Sequence, residues 1–481
     1  MNQPQRDVVM ERGSRFATLD ERLAVGRAIR KQVPRTSQAT WTPRKDRPDP
    51  IALLDGQNKR RVAGLVPIRW GRMLESAFAF MRGSALVMAT DLATTPNTGI
   101  KVQACGDSHL LNFGAYATPE RNLVFDINDF DETLVAPWEW DVKRLATSIE
   151  FAGRYNTFSR ASRADAVRAA VCSYREFMAE LAEMTALQVW YSRLDPNVLE
   201  RRFTKSKAAR NRHAAAIRQS ERRTMESAFI KMTKVANGRR RIVDDPPGIF
   251  HLRERHGHPL FSKLLQDYLA TARDDVRVLL DRYRVVDFSF KVVGVGSVGT
   301  RCGVILMMAN DGDPLLLQVK EANRSVLDVY AGKSKYRNNG HRVVTGQRVM
   351  QAASDMFLGW TSLRGRDYYV RQLRDMKWSQ DLTTLDAQGL ADYAKICGAT
   401  LARAHAKSTD PAVLSGYLGN KGTFDDALVE FARLYADQGE RDFEQLQTAA
   451  KSRRITAAQG SAAALTLATT RAFAASSNAF S

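Results

Sequence analysis

Cysteine is scarce in this 481-residue sequence: Cys105, Cys172, Cys302 and Cys397 are the only four, and no two lie close together. That spacing excludes a disulfide framework, a zinc ribbon and a redox CxxC pair. Histidine is scarce too, at seven residues; His251, His256 and His258 cluster without a cysteine or an HExxH partner and read as part of a solvated loop. No apolar run reaches the ~18 residues that a membrane-spanning helix needs. The first thirty residues carry Arg6, Glu11, Arg12, Asp20, Glu21 and Arg22 with no apolar block. No secretory signal is therefore expected, and the chain reads as cytoplasmic.

Positive charge is what the sequence has in excess. Seventy-two Lys and Arg against 52 Asp and Glu leave a net charge of +20. This balance favours polyanionic partners: nucleic acid, acidic lipid or phosphate-bearing small molecules. The surplus is uneven, since residues 201–241 hold 14 Lys and Arg but two Glu. That block has helix-forming composition and a weak apolar face. It reads either as a solvated helix pair or insertion, or as a collar making polyanion contact.

The length suggests roughly two to four folded units. Residues 1–60 are polar, basic and Pro-punctuated, and are expected to be a loosely ordered extension. Residues 61–275 read as mostly helical, with Trp70 to Arg82 as one buried helix and 201–241 as a basic insertion. From about 280 to 375 the pattern turns to strands. Three antiparallel strands are predicted over roughly 287–321, with an Asp-Gly hairpin signal at Asp311-Gly312. Helices are expected again over 376–450, and residues 451–481 are an Ala/Ser/Thr-rich tail.

Two stretches carry chemistry. In the first, Gly294, Gly296 and Gly299 form GxGxxG, with Ser297 among them. A dinucleotide fingerprint must open a helix, whereas these glycines lie between strands. A strand–turn–strand clamp of this kind can lay backbone N–H groups over phosphates. Lys320, 21 positions after Gly299 and ending the third strand, supplies the cation that such a clamp needs. A plain hairpin whose glycines relieve twist remains the alternative. The Gly332-Lys333-Ser334 triplet is not a Walker A loop, because position 327 is Leu.

The second stretch is acidic. Gly106-Asp107-Ser108-His109-Leu110-Leu111-Asn112 precedes Asp126-Ile127-Asn128-Asp129-Phe130-Asp131-Glu132. Carboxylates after an apolar lead-in are costly unless they meet a cation. An Asp and an Asn from separate loops suit Mg²⁺, which prefers oxygen ligands and keeps several waters. Asp107 five residues before Asn112 also matches the DxxxxN spacing of kinase catalytic loops. A calcium loop is the competing reading, but the DxDxDG spacing is missing.

GDSHLLN resembles the GDLHxxN loop of aminoglycoside and choline phosphotransferases, and NDFDETLVAPWEWDVKRLA resembles their IDFDxxxxGPxxxDLA segment. Over about residues 60–450 the sequence resembles the bacterial domain-of-unknown-function 2252 family, itself similar to protein-kinase-like enzymes. The supporting stretches include FAFMRG, CGDSHLLNFG, VGVGSVGTRC, LQVKEA, YYVRQLRDMK and LARAHA. The resemblance implies Asp107 as catalytic base or acceptor-orienting group, with His109 beside it as a loop-bracing or proton-transfer partner. It implies Asn112 and Asp129 as metal ligands, and Asp131 joins them as a candidate. Lys320 would contact phosphate beneath a covering turn of Gly294, Gly296, Ser297 and Gly299.

Two departures stand out. The catalytic loop precedes the glycine turn by about 190 residues, the inverse of the kinase order, so the expected fold is α+β, protein-kinase-like, two-lobed and circularly permuted. The Glu that pairs with the kinase lysine is also absent between Ala322 and Val429, and Thr345 stands where it is expected. Gln347, Asp328 and Asp355 are the candidates to hold Lys320, with Gln347 grouped among the nucleotide-binding residues. Cys105 replaces the His of the HGD triplet. The expected function is an ATP- and Mg²⁺-dependent phosphotransferase acting on a small-molecule or protein hydroxyl. The alternatives are a kinase-fold AMP transferase and a non-catalytic nucleotide- or nucleic-acid-binding protein.

Overall fold

The structure, a computed structural model, describes residues 17–458 apart from 196–198, 200–206, 247, 252–257, 293, 311 and 374–375. The fold is mixed α+β. Strands β1 (Lys101–Ala104), β2 (Phe113–Ala117), β3 (Leu123–Ile127) and β4 (Leu134–Pro137) form two small sheets, β1 with β4 and β2 with β3. Strands β5 (Thr233–Ala236) and β6 (Arg239–Ile242) form a hairpin. Strands β7 (Ile249–Phe250), β8 (Arg284–Lys291), β9 (Cys302–Ala309), β10 (Asp313–Ala322), β11 (Gly359–Leu363) and β12 (Arg366–Gln372) make an antiparallel sheet of order β11-β12-β10-β9-β8-β7. The strands predicted over 287–321 are β8, β9 and β10, paired as expected. β9 and β10 turn at Gly312, whose φ of +116° favours glycine; Asp311 lies outside the described residues.

A helical body carries the largest apolar core. Helices Trp138–Tyr155, Arg160–Ala182, Ala387–Ala406 and Thr423–Lys451 pack their apolar stripes together. Asp386 caps the third of these through Gly389 N at 2.7 Å. Its Gly398 lies against the Ala170 carbonyl, where a Cβ would not fit. A second core beneath the sheet joins Tyr268, Ile305, Leu317 and Val370.

Three expectations need correction. The first sixty residues are not loosely ordered from residue 17 onward. Thr18 and Glu21 form a capping box for helix Leu19–Gln32, whose Gly26 meets the Val413 carbonyl of helix Pro411–Leu418. Arg47 bridges Asp91 at 2.8 Å and Asp442 at 2.6 Å, and Trp41, Ile51 and Leu54 are buried. Partners distant in sequence supply this order. Secondly, Trp70 to Arg82 is two helices, Val66–Met73 and Ala77–Gly83, because the Ser76 hydroxyl caps Ala79 N at 3.0 Å and starts a new one. Thirdly, part of the expected tail docks: Ala458 N donates to Pro67 O at 2.9 Å and Ile455 is buried. Residues 459–481 and the first sixteen lie outside the described residues. Within the basic block, helices Lys207–Glu221 and Met225–Met232 precede the β5–β6 hairpin. Among the described residues, no helix is long and apolar enough to cross a membrane.

Candidate active site

The acidic loops are fixed from beneath by helix Trp138–Tyr155. Asp141, in its first turn, accepts Cys105 N at 2.6 Å and Gly106 N at 2.9 Å, while its carbonyl accepts Ser108 Oγ at 2.7 Å. His405 Nε2 stands 3.1 Å from the same carboxylate, and Tyr174 holds the other ring nitrogen at 2.9 Å. Gly106 adopts φ +81°, and a Cβ there would strike the Glu132 carbonyl. Glycine therefore lets the 105–112 loop approach the 128–132 segment. Asn128 N donates to Asn112 O at 2.8 Å, closing the contact from the other side.

Asp107 receives Arg144 Nε at 2.9 Å. Burial pushes its carboxyl upward, and the charge and hydrogen bond of Arg144 oppose that. His109 is buried, with Nε2 3.8 Å from Asp107, beyond hydrogen-bond range. Burial, reinforced by Arg82 and Arg144, depresses its pKa strongly, so the ring is neutral. Asn112 spends its amide N–H on Asp107 O at 2.6 Å, which leaves the amide oxygen as its acceptor.

Lys320 reaches these loops from the sheet. It sits opposite Cys302 on β9 and Tyr369 on β12. Its Nζ lies 2.8 Å from Asp131 Oδ2 and 3.8 Å from Asp129 Oδ1. Tyr369 donates its hydroxyl to Asp131 Oδ1 at 2.7 Å, and Ser297 donates its own to Oδ2 at 3.0 Å. Burial opposes ionisation of Asp131, but Lys320, the Tyr369 hydroxyl and Arg371 hold its carboxyl below the usual carboxylate range. Asp131, not Gln347, Asp328 or Asp355, is thus the partner of Lys320. Asp328 binds Ser334 N, and Asp355 binds Phe357 N and Gln372 N.

The glycine turn closes the opposite wall. Gly294, Gly296 and Ser297 line the cavity, with nothing within 4 Å of a Cβ placed on Gly294. Gly299 stands behind, at φ +89° against Arg61, and its carbonyl accepts Val62 N at 2.8 Å. One cavity of about 940 Å³ thus gathers Asp107, His109, Asn112, Asp129, Asp131, Lys320 and the turn. Gln347 lies apart, lining a side cavity of about 210 Å³ with its Oε1 buried and unpartnered among the described residues.

Apart from Lys320 and the two from the basic block, the cations around this cavity are what sequence reasoning missed. Twelve Lys and Arg side chains line it against five carboxylates. They come from distant segments, among them Arg61, Arg82, Arg371 and Lys377; Arg223 and Lys231 come from the basic block. Lys377 is pushed down to about 7, by burial first and then by Arg371. The family-like stretches FAFMRG and YYVRQLRDMK hold three of these residues, which was the one available signal.

Among the described residues, no three His, Cys, Asp or Glu side chains form a ready ligand set. The Asn112 amide oxygen and the Asp129 carboxylate, 34% exposed, fit a Mg²⁺ that completes its shell with waters and phosphate oxygens. Asp131 is already committed to Lys320.

An α+β chain that closes an acidic loop pair and a glycine-bearing sheet around one cation-lined cleft is the class that fold and site define. The chain belongs to the family described as uncharacterized protein conserved in bacteria (DUF2252), whose model matches residues 61–449. No curated protein and no solved structure matches it.

Proposed function

We propose that this chain is an ATP- and Mg²⁺-dependent phosphotransferase, protein-kinase-like in its two lobes and circularly permuted in their order. The observation that carries this reading is the meeting of Lys320 with Asp131 and Asp129 inside a cavity walled by the glycine turn. The lysine and Asp131 are 189 positions apart in sequence. Lys320 and the N–H groups of the turn would hold the triphosphate, with Arg371 adding charge. Asn112 and Asp129 would hold Mg²⁺, which when bound supplies charge neutralisation on the phosphate oxygens.

Asp107 faces the acceptor. An acceptor hydroxyl oxygen bonds to the γ-phosphorus, the bond from that phosphorus to the β–γ bridging oxygen breaks, and ADP departs. The hydroxyl proton passes to Asp107. Burial makes its carboxylate a better base, and Arg144 fixes its direction. Transfer of this kind rests on positioning and electrostatics, which a rigid cation-lined cleft provides.

The test is ligand-induced thermal shift together with ATP turnover. Asp129→Ala should lose the Mg²⁺-dependent part of ATP stabilisation and all turnover, whereas Asp107→Ala should keep the stabilisation and lose turnover. Unchanged turnover in both variants removes the enzyme reading.

A further inference from the structure

The cavity holds more positive charge than a nucleotide requires. Twelve cations face five carboxylates, and Mg²⁺ travelling with ATP cancels much of the charge that the phosphates bring. Several cations are also held by neutral oxygens. Arg69 donates to Asn58 Oδ1 at 2.6 Å, Gln57 Oε1 at 2.9 Å and Gly83 O at 2.8 Å. Arg371 donates to Gln318 Oε1 at 3.1 Å and Asn128 O at 3.2 Å. Such bonds orient a guanidinium without neutralising it.

The excess continues to the Asp107 side. Arg82, in the last turn of helix Ala77–Gly83, lines the cavity with a buried Nε that has no hydrogen-bond partner among the described residues. Burial disfavours its charge; Asp107 and Glu75 favour it, and Arg144 opposes it. Asp107 itself is engaged by Arg144, and the nearby His109 is neutral. A guanidinium with an unfilled Nε, lining the same cavity as Asp107 and within its electrostatic reach, suits an anion on the acceptor, because Arg matches phosphate oxygens in a fork. A volume of about 940 Å³ lies at the upper end of small-molecule pockets, which leaves room for a small second ligand beside the nucleotide.

We propose that the acceptor is a small hydroxyl compound that already carries a phosphate group, and that Arg82 receives that phosphate next to Asp107. The inference rests on the phosphotransferase reading, and its test separates the two. Inorganic phosphate serves as probe, titrated by calorimetry into the full chain saturated with Mg²⁺ and a non-hydrolysable ATP analogue. Phosphate is expected to bind this loaded form. Arg82→Gln should weaken that binding about tenfold and leave analogue affinity within about twofold, and Arg82→Lys should fall between. Lys320→Met should do the reverse, weakening the analogue and sparing the phosphate measured without nucleotide.

In turnover assays, sugar phosphates should stimulate ATP consumption where the parent sugars do not. If phosphate fails to bind the loaded form, or binds Arg82→Gln as well as the parent chain, the anionic-acceptor inference is overturned. If the analogue does not bind at all, the phosphotransferase reading falls. Phosphate titrated into the nucleotide-free Lys320→Met chain still decides whether Arg82 forms an anion site.

Discussion

The two ends of the acidic segment 126–132 make opposite use of the same side chain. Asp126 is fully enclosed and accepts Arg403 at 2.6 Å, Ile127 N at 2.9 Å and Ala352 N at 2.8 Å. Three residues on, Asp129 is 34% exposed, and among the described residues its carboxylate accepts only Asp131 N, at 3.3 Å. Asp131 lies between these extremes, 26% exposed and held by Lys320, Tyr369 and Ser297. A carboxylate saturated by fixed donors has become architecture, whereas one with open valence at a cation-rich cleft remains available to a ligand. Sequence spacing alone does not separate the two cases.

Breaking the enclosed end should have the largest effect. Asp126→Ala leaves Arg403 buried without its counter-charge and should lower the free energy of unfolding by about 3–5 kcal/mol, read by urea denaturation. A loss below about 1 kcal/mol would show that Asp126 is no more structural than Asp129.

The cleft end is tested by pH. Lys377 titrates near 7 in the folded chain and near its ordinary, higher value when unfolded. Between those values the unfolded chain binds more protons, so stability should rise with pH through that window and fall as pH drops back towards 7. The slope should be shallower in Lys377→Met, measured by denaturation at stepped pH. An identical slope would remove Lys377 from the strained cations of the cleft.

The smallest effect belongs to the contact between the glycine turn and the acidic loop. Ser297→Ala deletes one 3.0 Å hydrogen bond to Asp131 and should cost about 1 kcal/mol or less, because Lys320 and Tyr369 keep their bonds. Faster hydrogen exchange at 294–300, with the global unfolding midpoint nearly unchanged, is the signature to seek.

Much of this was legible where the signal is local. The β9–β10 hairpin follows from two apolar runs and a turn, and Asp107, Asn112, Asp129, Lys320 and the glycines stand out by residue type and spacing. What the sequence concealed depends on long-range closure. Lys320 lacks the expected Glu, and its partner Asp131 comes from a segment 189 positions earlier. Arg47 organises the N-terminal region through Asp91 and Asp442, which no window around residue 47 contains. The local misses were the break at Ser76, where an apolar run obscured an N-cap, the Thr18–Glu21 capping box, and the short strands β1 to β7 inside a stretch that reads as mostly helical. Most of the cavity's cations are dispersed between Arg60 and Lys377; the basic run 201–241 betrayed only Arg223 and Lys231.

The chain order has a consequence for biosynthesis. The acidic loops leave the ribosome long before Lys320, and Asp126 and Asp141 wait still longer for Arg403 and His405. Until those late residues emerge, Asp131 and Asp126 wait without Lys320 and Arg403, their counter-charges, and Asp141 without its His405 partner. Maturation of the cleft is therefore a late event, completed only when the final third of the polypeptide folds back onto the first.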